Sequence, residues 1–199
     1  AVETQEEVDR PAAERAFAVR RVVPDDRRRL GRLQPLGHPQ RLAALLALGA
    51  AVYTAFLFAQ AKARDLWQSA LLMPHMAAQA VLAGAGVTLL LALAVEPKAA
   101  PSLYWTLFLS VAMHLFFLAG EIALPHGTAH ARLAVWEMTK GRFRSYFVAG
   151  GVLLLATLIA PWVAPASPVV VATAAIAALA GLLAHEHAYV QAGQSVPLA

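Results

Sequence analysis

The residues of this sequence best suited to chemistry are ionisable side chains in apolar surroundings. Glu121 and His114 lie within the apolar run of residues 103–125, and His75 follows Pro74 at the start of another apolar run. An ionisable side chain inside a membrane-spanning segment is costly, so it is usually buried in a helix bundle and often belongs to a proton or ion pathway. Glu121 is therefore the first candidate for proton exchange. The alternative is a carboxylate at the water interface, near the end of its helix.

The histidines have both functional and structural interpretations. His75 could relay a proton or bind a quinone carbonyl, or it could contact water at the start of a helix. Gln79 lies one turn beyond His75 on the same helical face and would extend the same polar path. His114 could ligate a b-type haem, but the spacing predicts no second histidine at its depth. The candidate site is a proton path or polar cavity formed by Glu121, His75, Gln79 and His114, and no metal site is predicted.

The composition indicates a membrane protein. Of the 199 residues, 59% are hydrophobic and 14% are charged, whereas about a quarter of the residues in a soluble domain are charged. Residues 1–40 hold 8 of the 16 basic and 7 of the 12 acidic residues, so the rest of the chain is strongly apolar. The net charge of +4 is attributed to membrane flanks and not to nucleic-acid binding. Cysteine is absent, so this chain supplies no thiolate for an iron–sulfur cluster.

The elements that must position these side chains are five apolar runs. Each is long enough to cross a bilayer core about 30 Å thick as a helix. They are predicted at residues 41–60, 71–95, 103–124, 146–163 and 168–189. Small residues within the runs let helix backbones approach closely. The predicted fold is an all-α polytopic membrane bundle over residues 41–199, preceded by a charged extramembrane arm over residues 1–40. The arm is either a solvated linker or a docking segment for a partner subunit.

The alternation of the runs across the membrane predicts that polar groups collect at one face. The first, third and fifth runs end at this face, called side B here, and the second run begins there. The polar residues expected toward side B are Gln60, Gln68, His75, Gln79, Glu121, His126, His130, His185, Glu186 and His187. Such a one-sided group suggests a half-channel for protons or a polar ligand pocket. His185 and His187 lie on different helix faces and are expected to contact water or a partner.

The longest connection, residues 125–145, is predicted to hold an amphipathic helix over residues 128–139. It would lie at the membrane interface, with Leu133 and Trp136 facing inward and Arg132 outward. No phosphate loop, nucleophile elbow or zinc-binding spacing is present in the sequence. The chain is therefore not predicted to be an enzyme by itself. Because basic residues flank both faces equally, the positive-inside rule does not decide the orientation.

Two stretches carry a family resemblance. In residues 53–86, the turn Ala61-Lys62-Ala63-Arg64 follows a helix, and Trp67 and Leu72-Met73-Pro74 lead into a helix rich in small residues. The stretch YVQAGQSVPL closes the sequence at residues 189–198. These features resemble the NrfD-like family of polysulfide-reductase-type membrane subunits, over residues 41–198.

The resemblance implies a membrane anchor subunit of a quinone-linked respiratory oxidoreductase complex in the inner membrane of a prokaryote. Such subunits bind an iron–sulfur subunit and a catalytic subunit that carries a molybdopterin-type cofactor. They exchange electrons with the quinone pool and hold no haem of their own. In several relatives, polar residues in the bundle are proposed proton routes, and Glu121 and His75 are where this chain could supply one.

Family members usually have eight to ten helices, and the five runs resemble their second half. The resemblance therefore implies a half-length relative or the C-terminal part of a longer chain, with another NrfD-like half as a partner. The quinone pocket is generally associated with the first half. Two alternatives stay open, namely a purely structural membrane subunit and a haem-binding cytochrome b-like anchor.

Overall fold

The computed structural model describes residues 37–163 and 167–197, and over these ranges the chain is helical without β-strands. The α-helices are α1 (His38–Gln60), α2 (Leu72–Val95), α3 (Ala100–Ala123), α4 (Ala129–Thr139), α5 (Arg144–Val163) and α6 (Pro168–Ser195). Two short 3-10 helices, Asp65–Gln68 and Pro97–Ala99, precede α2 and α3. The chain divides into two compact units, Ala1–Ala43 and Ala44–Ala199. Most of the predicted arm lies outside the described residues, and residues 38–43 of the first unit begin α1.

The helices confirm the prediction of an all-α polytopic membrane bundle. Four segments are long and apolar enough to cross a membrane, namely His38–Gln60, Leu72–Val95, Pro97–Ala123 and Pro168–Ser195. α5 was predicted to span by itself, but it meets the same criterion only together with α4, as a pair bent by 67°. The described chain therefore has four candidate spans, or five if the bent pair is one span.

The helix ends follow from local sequence. The Thr128 hydroxyl caps α4 by accepting a hydrogen bond from the Ala131 amide at 3.1 Å, and Ser167 precedes Pro168 at the start of α6. Pro101 lies in the first turn of α3, where a missing amide hydrogen costs nothing. α6 continues to Ser195, beyond the predicted end at residue 189, because its last residues contain no proline and pack into the bundle.

The central core joins α2, α3, α5 and α6. Its fully buried members include Leu82, Leu89, Leu107, Val111 and Leu154. Hydrogen bonds cross the same interfaces. The Tyr104 hydroxyl donates to the Thr157 carbonyl at 3.1 Å, and the Thr157 hydroxyl reaches the Ala174 carbonyl at 3.1 Å. Such bonds hold helices together in lipid, where the hydrophobic effect does not drive helix association.

Two helices, α1 and α4, contribute no residue to this core. In α1 only Ala55 is buried, which is tolerable because lipid is itself apolar and the helix satisfies its own backbone. In α4 the buried residues are Ala131, Ala134 and Met138. Leu133 and Trp136, predicted to face inward, are 42% and 51% exposed. The face that packs against the bundle carries Ala131, Ala134 and Met138, so Leu133 and Trp136 do not face the bundle, and their orientation toward the membrane interface stays a prediction.

A close backbone approach between α5 and α6 depends on two glycines. A Cβ on Gly150 would lie 2.9 Å from the Gly181 carbonyl oxygen and 3.1 Å from the His185 amide nitrogen. A Cβ on Gly181 would lie 3.0 Å from the Gly150 carbonyl oxygen. These neighbours are backbone atoms, so they cannot rotate away. The contact sets how closely α6 approaches α5 at the level of His185.

We expect Gly150→Ala to lower the free energy of unfolding by about 1–3 kcal/mol, because the added methyl group pushes α5 and α6 apart. Thermal unfolding of the detergent-purified protein measures the loss. The matched control is Gly151→Ala, since no atom lies within 4 Å of a Cβ at that position. Equal melting temperatures for the two variants would contradict the close-packing assignment.

Candidate functional site

Four buried polar side chains converge between α2, α3 and α6. They are His75 from α2, His114 and Glu121 from α3, and His185 from α6. Their exposed fractions are 1%, 0%, 5% and 1%, respectively. Ionisable groups buried together in an apolar bundle are expensive to maintain, so they mark a candidate functional site. This group is called the histidine–glutamate cluster below.

The helix spacing places these residues along one path between the helices. His114 and Glu121 are seven residues apart and so share one face of α3. α2 begins beside the last turn of α3, where the Leu71 side chain lies 3.1 Å from the position that a Cβ on Gly120 would take. His75, four residues after Leu71, therefore lies between His114 and Glu121. The sequence expectation that no second histidine reaches the depth of His114 was wrong, because it ignored the reach of the side chains: His75 Nε2 lies 2.8 Å from His114 Nδ1, and the His185 ring lies 4.8 Å from that of His114.

The cluster contains a continuous chain of hydrogen bonds. Glu121 Oε1 lies 3.1 Å from His75 Nδ1, and His75 Nε2 lies 2.8 Å from His114 Nδ1. If Glu121 is ionised it accepts from His75 Nδ1–H, and a neutral His75 then offers Nε2 as the acceptor for His114 Nδ1–H. When Glu121 is protonated the roles can reverse, with the carboxyl group donating to His75 Nδ1 and His75 Nε2–H donating to His114 Nδ1. The arrangement can therefore move a proton between the carboxylate and the deeper imidazole by short hops.

His185 is the member that sequence reasoning did not place in the site. Its ring lies 4.8 Å from that of His114, nearly perpendicular at 84°, and 5.7 Å from that of His75. It was expected to contact water or a partner, but it is buried. The signal in the sequence is its position one turn after Gly181, on the closely packed face of α6. The exposed His187 instead packs its ring 4.4 Å from Tyr146.

Gln79 lies beside the cluster without joining its hydrogen bonds. Together with His75, His185, Glu186 and Tyr189 it lines a small cavity. Four buried atoms near the cluster have no hydrogen-bond partner within residues 37–163 and 167–197: Gln79 Oε1, His114 Nε2, Glu121 Oε2 and His185 Nδ1. Polar atoms buried in this way usually serve a ligand, an ion or water. The four predicted residues thus lie together, three of them connected by hydrogen bonds.

Other polar residues predicted toward side B lie apart from the cluster. His130 Nδ1 is 3.9 Å from Asp65 Oδ2, and the His126 carbonyl accepts a hydrogen bond from Arg132 at 3.1 Å. Gln68 donates to the carbonyls of Ala59 and Ala61. These contacts are structural because they fix the connections between helices.

The C-terminal end of α6 is fixed by the turn before α2. Arg64 Nη1 donates to the carbonyls of Gly193, Gln194 and Val196 at 3.1, 2.9 and 2.8 Å. These are carbonyls that a helix end leaves unsatisfied. The Tyr189 hydroxyl also donates to the Leu66 carbonyl at 3.2 Å. The two stretches singled out in the sequence are therefore in direct contact, and they fix the position of α6 beside the cluster.

The fold and this cluster define a polytopic α-helical membrane protein with a buried polar site. Residues 38–198 match the family described as Polysulphide reductase, NrfD, and the chain belongs to that family. The family supplies membrane subunits of quinone-linked oxidoreductases, which form complexes with iron–sulfur and catalytic subunits. Searches of curated proteins and of solved structures find no significant match to the chain.

We expect Arg64→Met to lower the free energy of unfolding by about 1.5–3 kcal/mol, since it removes a charged donor from the C-terminal carbonyls of α6. Limited proteolysis should then cleave the C-terminal segment faster than in the unmodified protein, and thermal unfolding should report the loss of stability. Lys62→Met, at an exposed position of the same turn, is the control. A melting temperature as high as that of the control would show that Arg64 does not hold the end of α6.

Proposed function

We propose that this chain is a membrane anchor subunit of a respiratory oxidoreductase complex. In this role it supports electron transfer between an iron–sulfur partner and the quinone pool, and its histidine–glutamate cluster carries protons. The observation that best supports this proposal is the chain of hydrogen bonds from Glu121 through His75 to His114. It is buried in membrane-spanning helices of a NrfD-family chain. A subunit that served packing alone gains little from such a cluster, because apolar residues fill a bundle core at lower cost.

The proton step needs only the residues of the cluster. A proton arriving at Glu121 neutralises a carboxylate that is costly to bury, and the carboxyl group can then donate to His75 Nδ1. For this step both rings start as Nε2–H tautomers: His75 passes its Nε2 proton to His114 Nδ1, His114 releases the proton on its own Nε2, and both rings then return to their Nε2–H tautomers. The side-B location of Glu121, near the end of α3, supports entry from that face. His114 is then the deepest group of the route.

The partners follow from the proposed role. An iron–sulfur subunit would bind the chain and deliver or receive electrons, because this sequence contains no cysteine for a cluster of its own. A catalytic subunit with a molybdopterin-type cofactor and another NrfD-like half would complete the complex. The proposed location is the inner membrane of a prokaryote. Quinone is assigned to the complex and not to particular residues of this chain.

The haem-binding alternative is less favoured by the geometry of the histidines. Two axial imidazoles must lie on opposite faces of a porphyrin ring. Here His75 Nε2 and His114 Nδ1 are in direct hydrogen-bond contact at 2.8 Å, and His185 packs against both rings. The absorption spectrum of the purified complex tests this alternative, since a Soret band that follows His114 would support it.

We expect Glu121→Gln to slow proton uptake by the complex by at least about tenfold, because an amide cannot accept and release a proton as a carboxylate does. The shape of the side chain is preserved, so the helices should assemble normally. The assay follows pH-sensitive dyes inside and outside proteoliposomes during quinol turnover, with chelator present throughout. The control is Glu96→Gln, an exposed carboxylate at the opposite end of α2.

The outcomes separate the proposed role from its alternative. Slower proton uptake in Glu121→Gln, with subunit assembly intact, supports a proton route through the cluster. Unchanged proton uptake and turnover in that variant would assign the chain to the purely structural class. Co-purification of iron–sulfur and catalytic subunits with the tagged chain tests the anchor role independently of proton movement.

A further inference from the structure

We propose that His75, His114 and His185 form a binding site for a divalent transition-metal ion of the zinc type inside the membrane bundle. One ring nitrogen of each histidine lies within 4.8 Å of the corresponding nitrogens of the other two. All three side chains are buried, and each comes from a different helix. This binding site goes beyond the proposed proton role and does not depend on it.

The distances are close to those that an ion needs. Zinc binds imidazole nitrogens at about 2.0–2.1 Å, so two nitrogens in a tetrahedral site are roughly 3.3 Å apart. His75 Nε2 and His114 Nδ1, at 2.8 Å, would have to separate by about half an ångström, again from the zinc geometry. His185 would have to approach by a somewhat larger amount. Rotations of the three rings are sufficient for changes of this size.

Glu121 is placed as the supporting group of such a site. Metal-ligating histidines usually donate their second ring N–H to a carboxylate or carbonyl, which fixes the tautomer of the ring. Glu121 Oε1 occupies this position on His75, 3.1 Å from Nδ1. The contact leaves His75 Nε2 as the ligating nitrogen. His185 Nδ1 is buried without a partner in the part of the chain that the structure describes, which is a second sign of ligand capacity.

The donor set determines the chemical class of the ion. Imidazole nitrogens suit zinc, copper, nickel and cobalt, whereas magnesium and calcium prefer oxygen ligands. Glu121 and the half-buried Glu186 supply negative charge near the site. The small cavity beside His75 and His185 is lined by Gln79 and Glu186, so it can admit a fourth ligand. Three histidines with one further position are a common ligand set of zinc sites.

Metal binding and proton transfer would compete for one atom, His75 Nε2. When Glu121 is ionised, the lone pair of His75 Nε2 accepts the hydrogen bond from His114, and the same lone pair would bind the ion. An occupied site would therefore interrupt the proposed route between Glu121 and His114. This consequence rests on the proposed function, while the binding itself does not.

The test is metal reconstitution of the chelator-treated, purified complex with zinc or cobalt. We expect one tightly bound ion per chain by elemental analysis, and visible absorption bands of four- or five-coordinate cobalt. His114→Gln and His185→Gln should each weaken binding at least 100-fold. Glu121→Gln should weaken it by about 10–100-fold, because it removes the supporting carboxylate. The control is His187→Gln, at the exposed histidine of the same helix, which should bind as the unmodified protein does.

Several results would overturn the metal site. One is the absence of a bound ion after reconstitution, and another is an ion that survives both His114→Gln and His185→Gln. If those variants fail to assemble, X-ray absorption of the cobalt-loaded unmodified complex decides instead. Three imidazole ligands support the proposal, and two or fewer refute it. Because no activity is measured, a failure here leaves the proton assay on Glu121→Gln unaffected.

Discussion

The contact between His75 and Glu121 is the interaction on which the site depends. A carboxylate 5% exposed inside a membrane bundle needs a partner, and His75 Nδ1 supplies one at 3.1 Å. The same contact fixes the tautomer of His75 and thereby decides what its other nitrogen can do. When Glu121 is ionised, the ring accepts a hydrogen bond from His114 at Nε2, and in the proposed metal site that nitrogen becomes a ligand. This one hydrogen bond gives the buried carboxylate its partner, and it also orients His75 for both proposed activities.

The rest of the bundle keeps this contact and its neighbours in register. Leu71 packs at the level of Gly120, which places the first turn of α2 beside the last turns of α3. On the other side, Gly150 and Gly181 bring α5 and α6 into backbone contact next to His185. Arg64 holds the last carbonyls of α6. These contacts lie outside the cluster, but they determine whether three helices can present imidazoles to one another.

The two proposed roles require different tautomeric behaviour of the same side chains. Proton transfer needs His75 to exchange tautomers, and metal binding needs one fixed tautomer with a free lone pair. A bound ion would therefore stop proton transfer through His75. The lipid-like exterior of α1, in which Ala55 is the buried residue, gives the chain an apolar surface for bilayer or for partner helices. Membership of the NrfD family is consistent with a subunit whose work is shared with others.

The amino-acid sequence by itself determined the fold class, most helix limits, the candidate residues Glu121, His75, Gln79 and His114, and the family. Apolar length, caps and short motifs are local properties, so they can be read without a structure. The tertiary structure decided that His185 joins the cluster, that His114 reaches His75, and that α4 buries its alanine face instead of Leu133 and Trp136. These facts depend on the relative depth and rotation of neighbouring helices. The packing of small residues and the contacts of Arg64 set the depth and the rotation of the helices. Neither quantity follows from the spacing of residues along one helix.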